Sequence, residues 1–509
     1  MTQSTTPTTA HGDPTGRSNP EAHAWGEMAD DAGAARILEQ ALSAVGADVD
    51  FADVRLIEAE ELRLYHRLGA DPDERIEHNL GIGVRVLVDG AWGFASRPLN
   101  GDADVVAAAR RAVAVARAGV GLGPPVRLPT RPGTSGNHRT TVLTDPFLVS
   151  DARRHALLAE LLAGMSGPSV VRDAQAGVNA KRQHRHYADT EGSRQHQHLV
   201  ESGAMMVATA ADGHDVQRRS FPNSFHGNTG GAGWEFVLGL DMPGNAVRVG
   251  EEAVALLTAP VAPAGTADLV IGAQQVSLQI HESCGHALEL DRILGDEQNF
   301  AGTSFLSVAD VGRFRYGSPA VNITSDPTVP GTRGTFGFDD EGTPAIRTPL
   351  ISEGIVKNTL SSRDSAARAG LPVTGAARSD GWAYLPVCFS THVHLEPGEG
   401  SLDELLDRLG DGYYLDDNRS WSIDDRRLNF QFGSEIAYEV RRGRRGRLLK
   451  NFSYGGVTPQ FWGAVEAVAG PEEVRNFGYP CGKGEPKQWG FLSHGAAPML
   501  VRQQRIGVA

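Results

Sequence analysis

The stretch VSLQIHESCGHALELD, residues 276–291, sets His281, Glu282 and His286 inside an apolar, helix-compatible run. On an ideal α-helix a five-residue step turns about 500°, which leaves the two imidazoles roughly 140° apart and unable to share one cation. A helix locally widened by a π-type turn near Gly285 would bring both rings onto one face. Two histidines still need a partner, because zinc in a hydrolytic site takes three protein ligands and leaves one position for water. Cys481 is the best candidate: it sits in NFGYPCGKGEP at 476–486, where flanking glycines let the backbone approach closely and leave the sulfur accessible. A bound thiolate would lower the cation's net charge and still let it acidify its water. Glu282, beside a ligand but outside the ligand set, is then placed to take the proton as general base. Thiolate and imidazole donors favour zinc over magnesium or calcium.

Outward from this motif, the composition sets the frame. A chain of 509 residues, 40% hydrophobic, holds two to four folding units. A net charge of -14 argues against a surface that tracks phosphates, so no nucleic-acid partner is expected. Three cysteines, Cys284, Cys388 and Cys481, are a poor basis for a disulfide framework and suit a reducing compartment. Residues 1–28 read as a disordered tail without the pattern of a secretory signal. No run of about 18 apolar residues occurs, so no membrane span is expected and the protein is assigned to the cytoplasm.

The spacing predicts a helix over 31–45 with Ile37, Leu38, Ala41, Leu42 and Val45 on one stripe. GIGVRVLVDGAWGFAS, 81–96, reads as a β-hairpin turning at Asp89-Gly90. Its Gly81-x-Gly83 lacks both a following helix and a third glycine, so it is not a dinucleotide loop. Helices follow over 103–118 and 151–165, separated by a Gly/Pro-dense break at 119–138, and strands are predicted from 170 to 211. TAPVAPAGT at 258–266 is the next break, and Ser401-x-x-Glu404 is a capping box for a helix stopped by Gly410. The expectation is an α+β chain: an N-terminal α/β region of two subdomains, 29–135 and 136–258, then a strand-rich C-terminal domain, 259–509, carrying the metal-binding helix.

The chain resembles the TldD/PmbA metallopeptidases, once described as modulators of DNA gyrase. HESCGHALELD resembles the family's His-Glu-x-x-x-His helix, FDDEGTP at 338–344 its Asp-Asp-Glu-Gly signature, and CGKGEP at 481–486 its Cys-Gly-Lys segment. VRVLVDGAWGFAS at 84–96 is similar to the hairpin of its first domain, whereas DDNRSWSIDD at 416–425 departs from the Gly-rich stretch expected there. The resemblance implies a zinc peptidase acting on peptides or unfolded polypeptide in a chamber made by two subunits. It implies a heterodimer with a metal-free relative or a homodimer, with His281, His286 and Cys481 as ligands and Glu282 as base.

The rival from another class is a non-catalytic, peptide-binding or regulatory subunit; a redox protein built on Cys481 is weaker, because no second cysteine lies near it in sequence. Cys284 is expected as a buried thiol, since its direction on the helix differs from both imidazoles, and Cys388 as a strand core residue. KRQHRHY and SRQHQH flank a turn at 189–192, which would put His184, His186, His196 and His198 on one sheet face, as a polar cavity wall or a second metal site. His494 is expected to make a structural hydrogen bond or to stabilise an oxyanion. RRGRRGR at 441–447 reads as a solvated hairpin tip.

Overall fold

The computed structural model describes residue 26 and residues 31–167 and 169–507. The tail expected at 1–28 lies outside the described residues, apart from Gly26. Helix α1 (Asp31–Val45) buries Ala34, Ile37, Leu38, Ala41 and Val45, the stripe that a 3.6-residue repeat generates. Three strands follow, β1 (Phe51–Arg67), β2 (Asp73–Val88) and β3 (Ala91–Pro98). β2 and β3 form the expected hairpin, with Val88 opposite Ala91. Asp89 and Gly90 at its tip have φ of 48° and 80°, the left-handed pair that matches the strands' twist.

The N-terminal half continues through α2 (Asp102–Gly119), β4 (Ser135–Arg139), α3 (Asp151–Met165), β5 (Val171–Asp189), β6 (Arg194–Ala211), β7 (Val216–Phe221), β8 (Asn228–Gly231), α4 (Trp234–Gly239) and α5 (Met242–Thr258). A single sheet runs through it in the order β8-β6-β5-β1-β2-β3, with β4 and β7 also paired to β6. Two separate hydrophobic cores lie on this sheet. Around Val54, Ile82, Val84 and Ala108 the first packs α1 and α2 on the β1 to β3 end. The second gathers Leu158, Leu161, Met206 and Val249 from α3, β6 and α5.

The C-terminal half is strand-rich. β9 (Gly265–Ile271), Met499–Ile506, Phe452–Val457, Asn429–Arg441 and Gly412–Ile423 pair in that order, and Gly412–Ile423 pairs back to β9, closing a ring. A separate sheet of six strands ends in His392–Leu395, Gln488–Ala496 and Arg475–Lys483. Helix α6 (Ala273–Ile280) packs against strands of both sheets, and all of its residues are buried. It can start so abruptly after β9 because Asp416 reaches its first turn: the carboxylate accepts from the Gln275 N–H at 3.3 Å, and an added Cβ at Gly272 would lie 2.3 Å from Asp416 Cγ. The capping box at Ser401 and Glu404 is present, and Gly410 follows the helix it opens. Among the described residues no helix is long and apolar enough to cross a membrane.

FDDEGTP joins the two halves. Glu341 Oε1 accepts from Arg85 Nη1 of β2 at 2.6 Å, and its Oε2 accepts from the Arg363 N–H at 2.6 Å. Asp340 pairs with Arg185 of β5. Asp339 closes the loop on itself by accepting from the backbone N–H groups of Glu341, Thr343 and Ala377 at 2.9, 2.8 and 3.1 Å. Asp340 and Glu341 are thus committed to holding the C-terminal half on the N-terminal sheet, while Asp339 fixes the loop that presents them, and each buried charge is paired or hydrogen-bonded.

Candidate metal centre

After α6 the helix widens into a π turn over His281–Gly285, in which the His286 N–H bonds to the His281 carbonyl five residues back. Widening displaces a backbone carbonyl from the ordinary ladder, and the Tyr316 hydroxyl donates to Ser283 O. Gly285 admits a close neighbour: an added Cβ would lie 2.8 Å from Ser390 Oγ. The turn brings the two rings to a centroid separation of 4.5 Å. Opposite them, the strand Arg475–Lys483 places Cys481 so that its Sγ lies 3.2 Å from His281 Nε2 and 3.3 Å from His286 Nε2. One donor atom from each of the three residues falls within 4.8 Å of the others.

The rear nitrogens decide which way the imidazoles face. His494 Nδ1 is 2.9 Å from the Val393 carbonyl, which only accepts, so His494 carries its proton there and offers a lone pair at Nε2. His281 Nδ1 donates to that nitrogen at 2.9 Å, which leaves the His281 Nε2 lone pair directed at Cys481. His286 Nδ1 donates to Glu289 Oε2 at 3.1 Å and is fixed in the same tautomer. Burial and the neighbouring imidazoles hold His281 well below the usual histidine range. His494 is pushed down to about 3, chiefly by burial. His286 is also lowered by burial, against the pull of Glu289. Both candidate ligands are therefore neutral near pH 7. Burial, with Glu282 and Glu289, pushes the Cys481 thiol well above its usual range. A cation bound among these atoms reverses that preference, since a coordinated thiol gives up its proton. Two neutral imidazoles, a thiol and fixed rear contacts fit a zinc ion.

Lys483 lies two residues beyond Cys481 on the same strand and is completely buried. Its Nζ donates to Glu289 Oε2 at 3.1 Å, to Asp291 Oδ1 at 2.8 Å and to the Cys388 carbonyl. Burial alone would raise the Glu289 carboxyl, but Lys483, His286 and Arg292 pull it well below the usual range, so the acceptor behind His286 stays charged. Glu282 is buried, and its Oε2 accepts from Arg427 Nη1 at 2.6 Å. Arg427 sits at the tip of the hairpin joining Gly412–Ile423 to Asn429–Arg441, with a φ of 61°.

Several of these partners were within reach of the sequence. Glu289 stands three residues after His286, and Lys483 shares a strand face with Cys481 through the period of two. Arg427 carried no signal, since it arrives from 145 residues away in a turn. Of the remaining candidates, Cys284 is buried in the hydrophobic core and Cys388 is buried on a short strand, accepting from the Ser362 N–H at 3.1 Å. β5 and β6 form a hairpin that opposes His184 to His198 and His186 to His196. The paired rings stack at 4.5 and 4.1 Å, each with an interplanar angle of 8°.

A widened helix and a β-hairpin, held in an α+β chain, here present two imidazoles and a thiol to one point, a donor set that could hold a metal ion. Residues 264–507 match the PmbA/TldA metallopeptidase C-terminal domain and residues 52–116 match PmbA/TldA metallopeptidase domain 1. The chain belongs to the TldD/PmbA family. It is 27% identical to a metalloprotease of Methanothermobacter thermautotrophicus over 86% of this chain and 91% of that protein. To a zinc metalloprotease TldD homolog of Saccharolobus solfataricus it is 25% identical over 48% of this chain and 52% of that protein. The crystal structure of TldE from Thermococcus kodakarensis shares its fold, with a TM-score of 0.70 at 15% identity over 93% of this chain and 100% of that one.

Proposed function

We propose that the chain is a zinc-dependent peptidase of the TldD type, hydrolysing peptides or unfolded polypeptides in the cytoplasm during peptide maturation or degradation. The observation that carries this reading is the convergence of His281 Nε2, His286 Nε2 and Cys481 Sγ within 4.8 Å, with Glu282 next in sequence to one of them. Bound there, zinc supplies a Lewis acid that polarises the scissile carbonyl and acidifies a water. His494 and Glu289 hold the two imidazoles in the ligating tautomer, and Lys483 keeps Glu289 ionised. Glu282 accepts the water's proton and returns it to the leaving amine. Arg427 engages Oε2 of that carboxylate, and Oε1 is the oxygen assigned to the proton.

A cavity of about 660 Å³ supports a polypeptide substrate. Its walls include Tyr65, Trp382, Trp489 and Phe491, and Pro480, the residue before Cys481. The units 29–135, 136–258 and 259–509 divide the work, the first two building the sheet that walls this cavity and the third carrying the centre. Following the resemblance to TldD, and with TldE as a structural relative, the active assembly is a heterodimer with a metal-free relative or a homodimer. A non-catalytic, peptide-binding subunit is the second reading, favoured by the Arg427–Glu282 ion pair, which occupies the carboxylate.

Glu282→Gln separates the two readings. It preserves shape but accepts no proton, so zinc and peptide binding persist while amide hydrolysis falls by about two to four orders of magnitude. Cleavage of an unfolded peptide library, read by mass spectrometry with the partner supplied, is the measurement. Cleavage by Glu282→Gln as fast as by the unsubstituted chain would remove Glu282 from the mechanism.

A further inference from the structure

We propose that Asp31, His186 and His196 form a second cation site, suited to a borderline divalent transition-metal ion such as zinc, that pins the first turn of α1 to the hairpin of β5 and β6. One ligand atom from each of these residues lies within 4.8 Å of the others, and the site shares no residue with the centre at Cys481. The placement follows from the strands. Side chains two apart share a face, so His184 and His186 of β5 meet His196 and His198 of β6 on the side that α1 crosses. α1 is tied to this face twice over: Glu39 pairs with Arg194, and Asp31 Oδ1 lies 2.9 Å from His196 Nδ1. The donor set, two imidazoles and a carboxylate, is one that zinc accepts.

The surroundings prepare His196 as a ligand. Its Nε2 is 3.0 Å from His184 Nδ1, so the two rings share one proton between them. His196 can turn its Nδ1 lone pair to a cation by carrying its proton on Nε2, where His184 Nδ1 accepts it while His184 keeps its own proton on Nε2. Burial and the neighbouring imidazoles push His184 down to about 3. Burial and Arg139 push His198 down to about 4. Arg139 donates Nε–H to His198 Nδ1 at 3.2 Å, at the end of the stack away from the Asp31 carboxylate. His186 is buried whereas Asp31 is mostly exposed, so the site opens to solvent on the helix side, where water completes the coordination.

Zinc stoichiometry of the full chain tests this. The protein is stripped with a chelator, dialysed against graded free zinc and assayed for zinc per chain. The expected result is two equivalents, with Cys481→Ser losing the first and keeping the second. Asp31→Asn keeps the first and weakens the second by about tenfold or more. Asp31 is exposed at the end of a helix, so this variant folds, and zinc should raise the Tm of Cys481→Ser but not that of the double variant Cys481→Ser/Asp31→Asn. Two equivalents bound by Asp31→Asn at unchanged affinity, or no zinc bound by Cys481→Ser, would overturn the site. Loss of the Cys481 equivalent alone bears only on the proposed peptidase centre.

Discussion

Two histidine clusters in this chain differ in what stands behind the rings. At the centre, His281 and His286 each turn their Nδ1 toward a group that only accepts in that arrangement, His494 Nε2 and Glu289, so both Nε2 lone pairs meet at Cys481. In the β5–β6 stack His184 bonds to His196, His198 accepts from Arg139, and the Asp31 carboxylate meets His196. The number of histidines is larger in the second cluster, yet the first is aimed more sharply. The lesson is that ligating power is set by rear contacts, which here come from residues 3 and 213 positions away in sequence.

The largest effect that would break this contrast is at Glu289. Glu289→Ala removes the acceptor behind His286 and one partner of buried Lys483 and Arg292. The expected outcome is a loss of about 3–5 kcal/mol in denaturant unfolding, since a buried charge is left underpaired. Zinc affinity at the centre should fall with it by about 10–100-fold. His494→Phe comes next: it leaves His281 Nδ1 and the Val393 carbonyl without their partner and should weaken zinc by about 10–100-fold, with a loss of about 1–3 kcal/mol in unfolding. His494→Gln, whose amide oxygen can accept the same N–H, should recover part of that loss. Equal zinc affinity in His494→Phe and the unsubstituted chain would mean that the rear contact is dispensable.

A smaller effect distinguishes the clusters by pH. His281 and His286 are already neutral above pH 6.5, while the Cys481 thiol is raised and must release its proton on binding. Affinity at the centre should therefore rise about tenfold per pH unit from 6.5 to 8. The β5–β6 site has no thiol to deprotonate, so zinc affinity there should change less over that range. Zinc titrations of Asp31→Asn and of Cys481→Ser at several pH values measure the two slopes separately.

Much of the fold was legible because its local signals are short-range. The stripe of α1, the Asp89-Gly90 hairpin, the helix at 151–165 and the capping box at Ser401 all depend on residues within a few positions of one another. The π turn could also be inferred, since the five-residue spacing of His281 and His286 cannot serve one cation without it. Less legible was the single sheet that runs through the N-terminal half, because the pairing of β1 with β5 joins segments more than a hundred residues apart. The role of FDDEGTP was hidden for the same reason: its acidic residues look like a site, and only Arg85 and Arg185 on distant strands reveal a joint between the halves. Arg427 is the sharpest case, a turn residue among several arginines whose side chain happens to reach Glu282.

Cobalt(II) substitution reports whether Cys481 completes a three-donor metal centre with His281 and His286. Cobalt bound by a thiolate shows a sulfur-to-metal charge-transfer band, which an imidazole and carboxylate site does not produce. This band is expected in the unsubstituted chain, in Cys284→Ser and in Cys388→Ser, and its absence is expected in Cys481→Ser. A band that survives Cys481→Ser, or one abolished by Cys284→Ser in a folded protein, would contradict it.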